Sequence, residues 1–338
     1  MMKAMRLWFA CVFGLALSMV FGWSNGFFAV LLPVFIIARA DDWHYGLINQ
    51  MVFGIILVTL EVNFISGFLQ PYPWLMTVAV AILFLSKCIA MTKPSRYLFG
   101  FTGLLVGSIA LNFISYSSFD IEDFTVTLWV SAFAIYPICA LAYFLFPEPV
   151  CKTMATPGTA NSAVPHDHTG VLRQAAMGWT IAMLAFLIFQ FADLSDSISA
   201  QASIFIVLTP MTFIGAMAAA KIRISGTLLG CVAGMAIQLG LSSWANNGVL
   251  FLMAFAIAAG FFAWLIAMGG VKSGLGFSAL SALAVPLTTA FQPGQQDAFF
   301  AIIYRFSSIT FAVILTSLAI WLTHGVLVRV IKAPSVCV

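Results

Sequence analysis

Apolar runs of about membrane length follow one another along almost the whole chain. A membrane-spanning helix needs about 20 predominantly apolar residues, and polar breaks divide this sequence into twelve such runs. The runs are continuous rather than alternating, which favours helices over the strands of a membrane barrel. Only 7% of the 338 residues are charged, too few to cover a water-facing surface. The runs lie at 5–23, 26–38, 45–69, 72–91, 96–116, 124–146, 170–192, 200–220, 223–242, 247–268, 273–290 and 298–323.

The sequence therefore predicts an all-α polytopic membrane protein with about twelve transmembrane helices. Its longest polar stretch, PEPVCKTMATPGTANSAVPHDHTG, follows the sixth run and is typical of a linker. We expect an N-terminal half at 1–146, a cytoplasmic linker at 147–169, a C-terminal half at 170–325 and a cytoplasmic tail at 326–338. Because six crossings return the chain to the same side, the halves would be parallel repeats.

Short landmarks support this internal repeat. The second run of the first half carries FAVLLP, ending at Pro33, and the matching run of the second half carries FIVLTP, ending at Pro210. The glycines that open the following runs are also eight residues apart: Gly46 and Gly54, then Gly226 and Gly234. Proline disrupts a helix, and paired broken helices indicate a transporter binding site, although ordinary proline kinks explain them equally well. We predict helix breaks at Pro33 and Pro210.

The distribution of cations predicts the orientation. With the N-terminus inside, the lysines and arginines of the predicted loops all fall on the inner side, and the outer loops carry only acidic charges. Cationic loops stay in the cytoplasm, so both termini are predicted to be cytoplasmic. Lys221 and Arg223 then lie at a cytoplasmic entrance between the eighth and ninth runs, either attracting anions or serving as positive-inside anchors.

Two charges, Glu61 and Arg305, remain deep in apolar runs, each about 10 Å from the outer end of its helix. An unpaired charge at the centre of a bilayer costs about 2.5–3.5 kcal/mol, so we expect both to face the interior. We predict that Arg305, with Tyr304, Ser308 and Asn63, binds a carboxylate, which suits a planar guanidinium. Glu61 would pair with Arg305 in the empty site and accept a proton when substrate arrives. The alternatives are a static ion pair, or snorkelling of Arg305 to the surface.

Three stretches carry a resemblance to a known family. They are MRLWFACVFGLALSMVFGWSNGFFAVLLPVF near the start, AAAKIRISGTLLGCVAGM at 218–235 and YRFSSITFAVILTSLAIWL at 304–322. Together they resemble the fusaric-acid-resistance and aromatic-acid-exporter (FUSC-like) superfamily, in its small, DUF2955-like branch without a large cytoplasmic domain. The resemblance implies export of small organic anions, typically aromatic carboxylates, from a bacterial inner membrane, with a periplasmic adaptor as partner. The first half departs from the pattern, since it has DDWHYGLINQ at 41–50 and no arginine matching Arg305.

Other functional classes find less support in the sequence. Asp41, Asp42 and His44 lack a well-spaced further metal ligand, as do His166 and His168, so we expect neither a metal, a cofactor nor enzymatic activity. The six cysteines show no paired spacing and are expected to be small buried hydrophobes. Cations are not clustered, which argues against nucleic acid as a partner. A passive anion channel, a membrane subunit of an efflux complex and a homo-oligomer stay open.

Overall fold

The computed structural model describes residues 1–23, 25–114, 121–147, 168–192, 198–241, 248–289 and 298–330. Twelve α-helices and one 3-10 turn, Pro94–Arg96, make up most of these residues, and the described ranges contain no strand. The helices are α1 Met2–Phe21, α2 Phe27–Arg39, α3 Tyr45–Leu69, α4 Pro73–Met91, α5 Tyr97–Ile114, α6 Ile121–Leu145, α7 His168–Ala192, α8 Ile198–Leu208, α9 Phe213–Gly240, α10 Gly248–Ala267, α11 Gly270–Thr289 and α12 Ala298–Val330.

Length and hydropathy identify this bundle as a membrane domain. Within the described ranges, nine helices are long and apolar enough to cross a membrane, while α2, α8 and α11 offer shorter apolar segments. The outer faces carry large exposed hydrophobic side chains, such as Phe64, Trp74 and Ile257, which only a lipid environment accommodates. The chain is an all-α, multi-pass membrane protein, as its composition predicts.

Helix packing follows the pattern of two related six-helix halves. Contacts between the halves come in matched pairs: α1 packs on α10 as α7 packs on α4, and α2 packs on α11 as α8 packs on α5. Two tryptophans fasten these interfaces in the same way. Trp8 Nε1 donates to the Ala256 carbonyl oxygen and Trp179 Nε1 to the Ala81 carbonyl oxygen, both at 2.8 Å. The contacts between the halves are therefore related by a pseudo-twofold symmetry, under which each helix takes the place of its equivalent in the other half.

The glycine correspondence proposed from sequence is wrong by two helical turns. Gly54 of α3 lies against Phe99 and Thr102 of α5, and Gly226 of α9 lies against Leu275 and Ser278 of α11. Gly54 therefore matches Gly226, and not Gly234, because both admit the same face of the neighbouring helix. This register also aligns the ends of α3 and α9.

The predicted boundary between the eighth and ninth runs is also wrong. α8 ends at Leu208, and α9 begins at Phe213, so the chain breaks around Pro210 rather than at Lys221. Met211 adopts a positive φ of 53°, and the Thr212 side chain caps α9 by accepting from the Gly215 amide, as N-cap threonines do. The expected break at Pro33 does not occur, since α2 continues through this buried proline to Arg39.

Two helices extend beyond their predicted limits. α9 has 28 residues and α12 has 33, which correspond to about 42 and 50 Å, more than the roughly 30 Å of hydrocarbon. α12 runs on to Val330, so the predicted start of a tail at 326 falls inside this helix. At the other boundary, α7 begins at His168, just before the predicted half, and the linker lies mostly outside the described residues.

Close helix packing at Gly230 gives a test of the bundle. A Cβ on Gly230 would collide with the Ala279 carbonyl oxygen of α11, whereas one on Gly67 of α3 would meet no atom within 4 Å. We expect Gly230→Ala to lower the melting temperature in detergent by at least about 3 °C, and Gly67→Ala to leave it unchanged or raise it, since alanine favours helix. Tryptophan fluorescence during heating measures both. Equal melting temperatures would contradict this packing.

Candidate functional site: an arginine-lined cavity between the halves

A central cavity of about 100 Å³ lies between the two halves. We call it the arginine cavity, after Arg223 and Arg305 in its wall. Its walls come from α2, α3 and α5 of the first half and from α8, α9, α11 and α12 of the second. Most of the lining is apolar, and it includes five phenylalanines: Phe27, Phe28, Phe35, Phe101 and Phe277. Cavities of this order, roughly 150 Å³, hold a benzene molecule in other proteins. The cavity therefore suits the body of a small organic molecule.

The cavity is built from equivalent positions of the two halves. α5 and α11 contribute four pairs of residues with one constant spacing along the chain: Phe101 and Phe277, Leu105 and Ser281, Val106 and Ala282, Ile109 and Val285. α2 and α8 contribute three more: Phe28 and Ser199, Leu31 and Ala202, Phe35 and Ile206. Ligand sites between repeats are typical of transporters.

Arg223 is the most deeply buried cation of the cavity wall. Its residue is 3% exposed, although the sequence placed it in a cytoplasmic entrance loop. Its Nε donates to Ser203 Oγ at 3.0 Å, and its Nη1 donates to Ser281 Oγ at 2.7 Å. Both serine hydroxyls donate in turn to carbonyl oxygens of their own helices, those of Ser199 and Ser278. Each hydroxyl therefore has its lone pairs available to the guanidinium.

The first half replaces this polar group with apolar residues. The register set by Gly54 and Gly226 makes Met51 of α3 the equivalent of Arg223 of α9. The α2–α8 spacing aligns Leu32 with Ser203, and the α5–α11 spacing aligns Leu105 with Ser281. Arginine and both of its serines thus change together, which is expected because a buried guanidinium requires acceptors.

Arg305 is the second guanidinium in the cavity wall. Arg305 and Ile309 are the α12 residues that line the cavity. Both Arg305 and Arg223 lie close enough to Cys231 to interact with it electrostatically. The register of Gly54 and Gly226 aligns Cys231 with Thr59 of the first half, and Thr59 Oγ1 accepts from Nε1 of Trp129 of α6 at 2.8 Å. The sequence-based expectation that Arg305 faces the protein interior is consistent with this placement.

The electrostatic character of the cavity is one-sided. Among the described residues, its wall contains two arginines and no aspartate or glutamate. The described partners of Arg223 are neutral hydroxyls, so they orient its charge without neutralising it. The charge of Arg223 can therefore attract an anion, and the low dielectric of its surroundings strengthens that attraction.

The other residues predicted to bind substrate lie elsewhere. Tyr304 and Ser308 face a second cavity, between α7, α8 and α12, and not the arginine cavity. Asn63 lines neither cavity. Lys221 is exposed on α9. The helical period explains the difference on α12, because Tyr304 and Ser308 are turned about 100° and about 60° away from Arg305 around the helix, both to the same side.

Glu61 does not have the partner predicted for it. Its Oε2 lies 2.6 Å from Lys87 Nζ of α4, and the two side chains are 35% and 3% exposed respectively. The Lys87 ammonium also lies 4.9 Å from the centre of the Phe99 ring. The predicted pairing of Glu61 with Arg305 is therefore wrong, since Lys87 supplies the compensating charge.

Local geometry explains why Lys87 reaches Glu61. α3 and α4 are joined by a short turn, and helical side chains lean toward the N-terminus of their helix. The Lys87 side chain therefore points back toward the turn and toward Glu61. Its methylenes pack on Gly103 of α5, where a Cβ would lie 2.9 Å from Lys87 Cδ.

Aromatic rings close one end of the arginine cavity. Phe35 stacks on Phe101, with ring centres 5.2 Å apart, and meets Phe277 edge-on at 5.6 Å. The exposed Arg39 lies over Phe35 at 5.0 Å and over Tyr97 at 4.6 Å. These rings separate the cavity from the end of the bundle at which α5 begins.

Comparison with known proteins finds a family model that matches part of the chain. Residues 3–142 match the model of a family described as "Protein of unknown function (DUF2955)". No curated protein and no solved structure is significantly similar to the chain. The match covers most of the first half and excludes both arginines of the cavity. The wider superfamily likeness seen in the sequence therefore stays a prediction.

The Glu61–Lys87 pair gives a prediction about stability. Removing one member of a buried pair leaves the other charge uncompensated, whereas removing both is nearly neutral. We expect Lys87→Met alone to lower the free energy of unfolding by about 2–3 kcal/mol, less than for a fully buried pair because Glu61 is partly exposed. The double variant Glu61→Gln, Lys87→Met should regain most of it. Chemical unfolding in detergent tests this, and a double variant as unstable as the sum of its singles would contradict the pairing.

Proposed function

We propose that this protein is a carrier that exports small organic anions, and that the arginine cavity is its substrate site. The observation that carries the proposal is Arg223, a guanidinium that is 3% exposed and whose described partners are two neutral serine hydroxyls. Intramembrane cations of this kind commonly mark substrate paths. An anionic guest would supply the charge that the serines do not.

The composition of the wall supports an organic anion rather than an inorganic one. Guanidinium groups bind carboxylates through two parallel hydrogen bonds, and Arg223 has five N–H donors in total, two of which go to serines. The remaining wall is mostly hydrocarbon, with phenylalanines at several levels. A carboxylate on a small apolar or aromatic body matches both parts of the cavity.

Alternating access is the transport mode that the architecture favours over a channel. The cavity lies between two six-helix halves, as substrate sites do in carriers built from repeats, and the Phe35, Phe101 and Phe277 rings block one end. Export, the bacterial inner membrane and a periplasmic adaptor follow from the family resemblance and form part of the same proposal.

We assign proton coupling to the Glu61–Lys87 pair. It is an acid–base pair within a membrane-spanning region, and Glu61 is its more accessible member. Lys87 packs on Gly103, which follows Thr102, a residue of the cavity wall. A proton arriving at Glu61 would weaken its hold on Lys87 and so alter the contact of α4 with α5. This connects proton entry to the position of a cavity helix.

The first functional prediction concerns anion binding at Arg223. Cys231 lines the cavity and is 3% exposed, so its alkylation by N-ethylmaleimide requires the cavity to open, and bound anion should protect it in a variant that lacks the other cysteines. We expect protection by at least one of benzoate, salicylate and malate, and none by the neutral analogue benzamide. Arg223→Ala should raise the protecting concentration at least about 30-fold, which corresponds to the lower range for a lost buried charge contact. Arg223→Lys should be intermediate, because lysine lacks the planar fork.

Two matched variants control for misfolding and for general loss of charge. The triple variant Arg223→Met, Ser203→Leu, Ser281→Leu introduces the residues that the first half has at these places, so it should fold and lose protection. Arg96→Ala removes an exposed cation and should bind normally. Protection that survives in the folded triple variant would place the anion site elsewhere.

The second functional prediction concerns coupling. In proteoliposomes, an imposed pH gradient should accelerate movement of the protecting acid by the unaltered chain. Glu61→Gln should abolish this acceleration while leaving anion protection of Cys231 unchanged, because Glu61 lies outside the cavity wall. An acceleration that persists in Glu61→Gln would show that the pair is structural only.

A further inference from the structure

A second cavity opens on the side of the bundle between α7, α8 and α12. Its volume is about 170 Å³, and its wall is almost wholly hydrocarbon. Side chains at its rim are exposed although they are large and apolar, among them Leu184 at 43% and Phe311 at 69%. Since these helices belong to the membrane domain, the rim faces lipid, and we call this cavity the lateral groove.

Two of the three hydroxyl-bearing side chains that line the lateral groove use their hydroxyl donors within α12; the third is Tyr304, which is 48% exposed. Ser308 donates to the Arg305 carbonyl oxygen at 3.1 Å, and Thr316 donates to that of Ala312 at 2.7 Å. Their donors are therefore used inside α12. A water molecule in a cavity needs at least two polar partners, and this wall offers few.

Among the described residues, the first half packs more closely at the equivalent place, because α1 contacts α2 extensively whereas α7 contacts α8 much less. The alignment of Trp8 with Trp179 makes Gly14 the equivalent of Ala185, and the α2–α8 spacing makes Ala29 the equivalent of Ala200. At Gly14 the absence of a Cβ lets α1 meet the Ala29 carbonyl group directly. Ala185 and Ala200 instead line the lateral groove. A methyl group at Ala185 holds α7 away from α8, and the space remains.

We propose that the lateral groove binds an acyl chain of a bilayer lipid. An empty apolar space forfeits the dispersion contacts of its wall, and hydrocarbon at membrane depth restores them. The groove also shares its walls with the arginine cavity: Ala200 and Ile204 of α8 face the groove while Ala202 and Ile206 face the cavity. The acyl chain thus packs against the outer face of helices whose inner face forms the proposed anion site.

Photo-cross-linking in vesicles tests this site independently of transport. The protein is reconstituted in phosphatidylethanolamine and phosphatidylglycerol vesicles that contain a phospholipid with a diazirine near the end of one acyl chain. One sample is illuminated in the vesicles. A second sample is solubilised in detergent, exchanged into lipid-free detergent buffer and then illuminated. Adducts in both samples are mapped by mass spectrometry. Adducts on the groove segments 181–189 and 311–319 should persist after the exchange. Adducts on the exposed stripe of α9 at Leu228, Val232 and Leu239 should be lost.

Variants that fill the groove complete the test. Ala185→Leu and Ala312→Leu should each reduce groove adducts at least three-fold and leave the α9 adducts in vesicles unchanged. Ala236→Leu, on the exposed face of α9, is the matched control and should change neither groove adduct. The proposal is overturned if groove adducts vanish with the α9 adducts on exchange, or if both filling variants label normally while folded.

Discussion

The cost of burying charge in a hydrocarbon setting governs the arrangement of this bundle. An ionised group without compensation is expensive at membrane depth, so each deep cation requires a local solution. Lys87 finds the carboxylate of Glu61 and the ring of Phe99. Arg223 finds two serine hydroxyls. The first solution is electrically neutral and the second is not, and this difference is the basis for proposing an anion site at Arg223 rather than at Lys87.

Comparison of the halves shows how a single fold acquires one polar side. Exchanging α1 to α6 with α7 to α12 preserves the contacts between the halves and much of the cavity outline, but not the close packing of α1 on α2. It does not preserve charge, because Met51, Leu32 and Leu105 stand where the second half has Arg223, Ser203 and Ser281. The repeated helices form a nearly symmetric cavity, and the polar residues of the second half make one side of it cationic. Pseudosymmetry therefore also supplies the variants that separate folding from binding.

The sequence predicts the broad architecture well and the site only in part. Continuous apolar runs define most helices, because membrane thickness fixes their length, and α3 has the bounds expected for it. The rule that cations mark loop ends fails at Arg223 and Lys87, since serines or a carboxylate on neighbouring helices compensate these charges inside the bundle. Such partners are remote in sequence, so periodicity does not reveal them. The break predicted at Pro210 does occur, whereas the cations Lys221 and Arg223 lie within α9 and do not mark its start.

α8 is the element through which these features meet. It has 11 residues, ends at a break with a left-handed residue at Met211, and supplies Ser203 to Arg223. A short helix flanked by such a break can shift with fewer backbone hydrogen bonds lost than a full span would require. Its opposite faces border the arginine cavity and the lateral groove. A displacement of α8 would therefore change the acceptors of Arg223 and the width of the groove together, and would so connect the proposed anion site with the proposed lipid site.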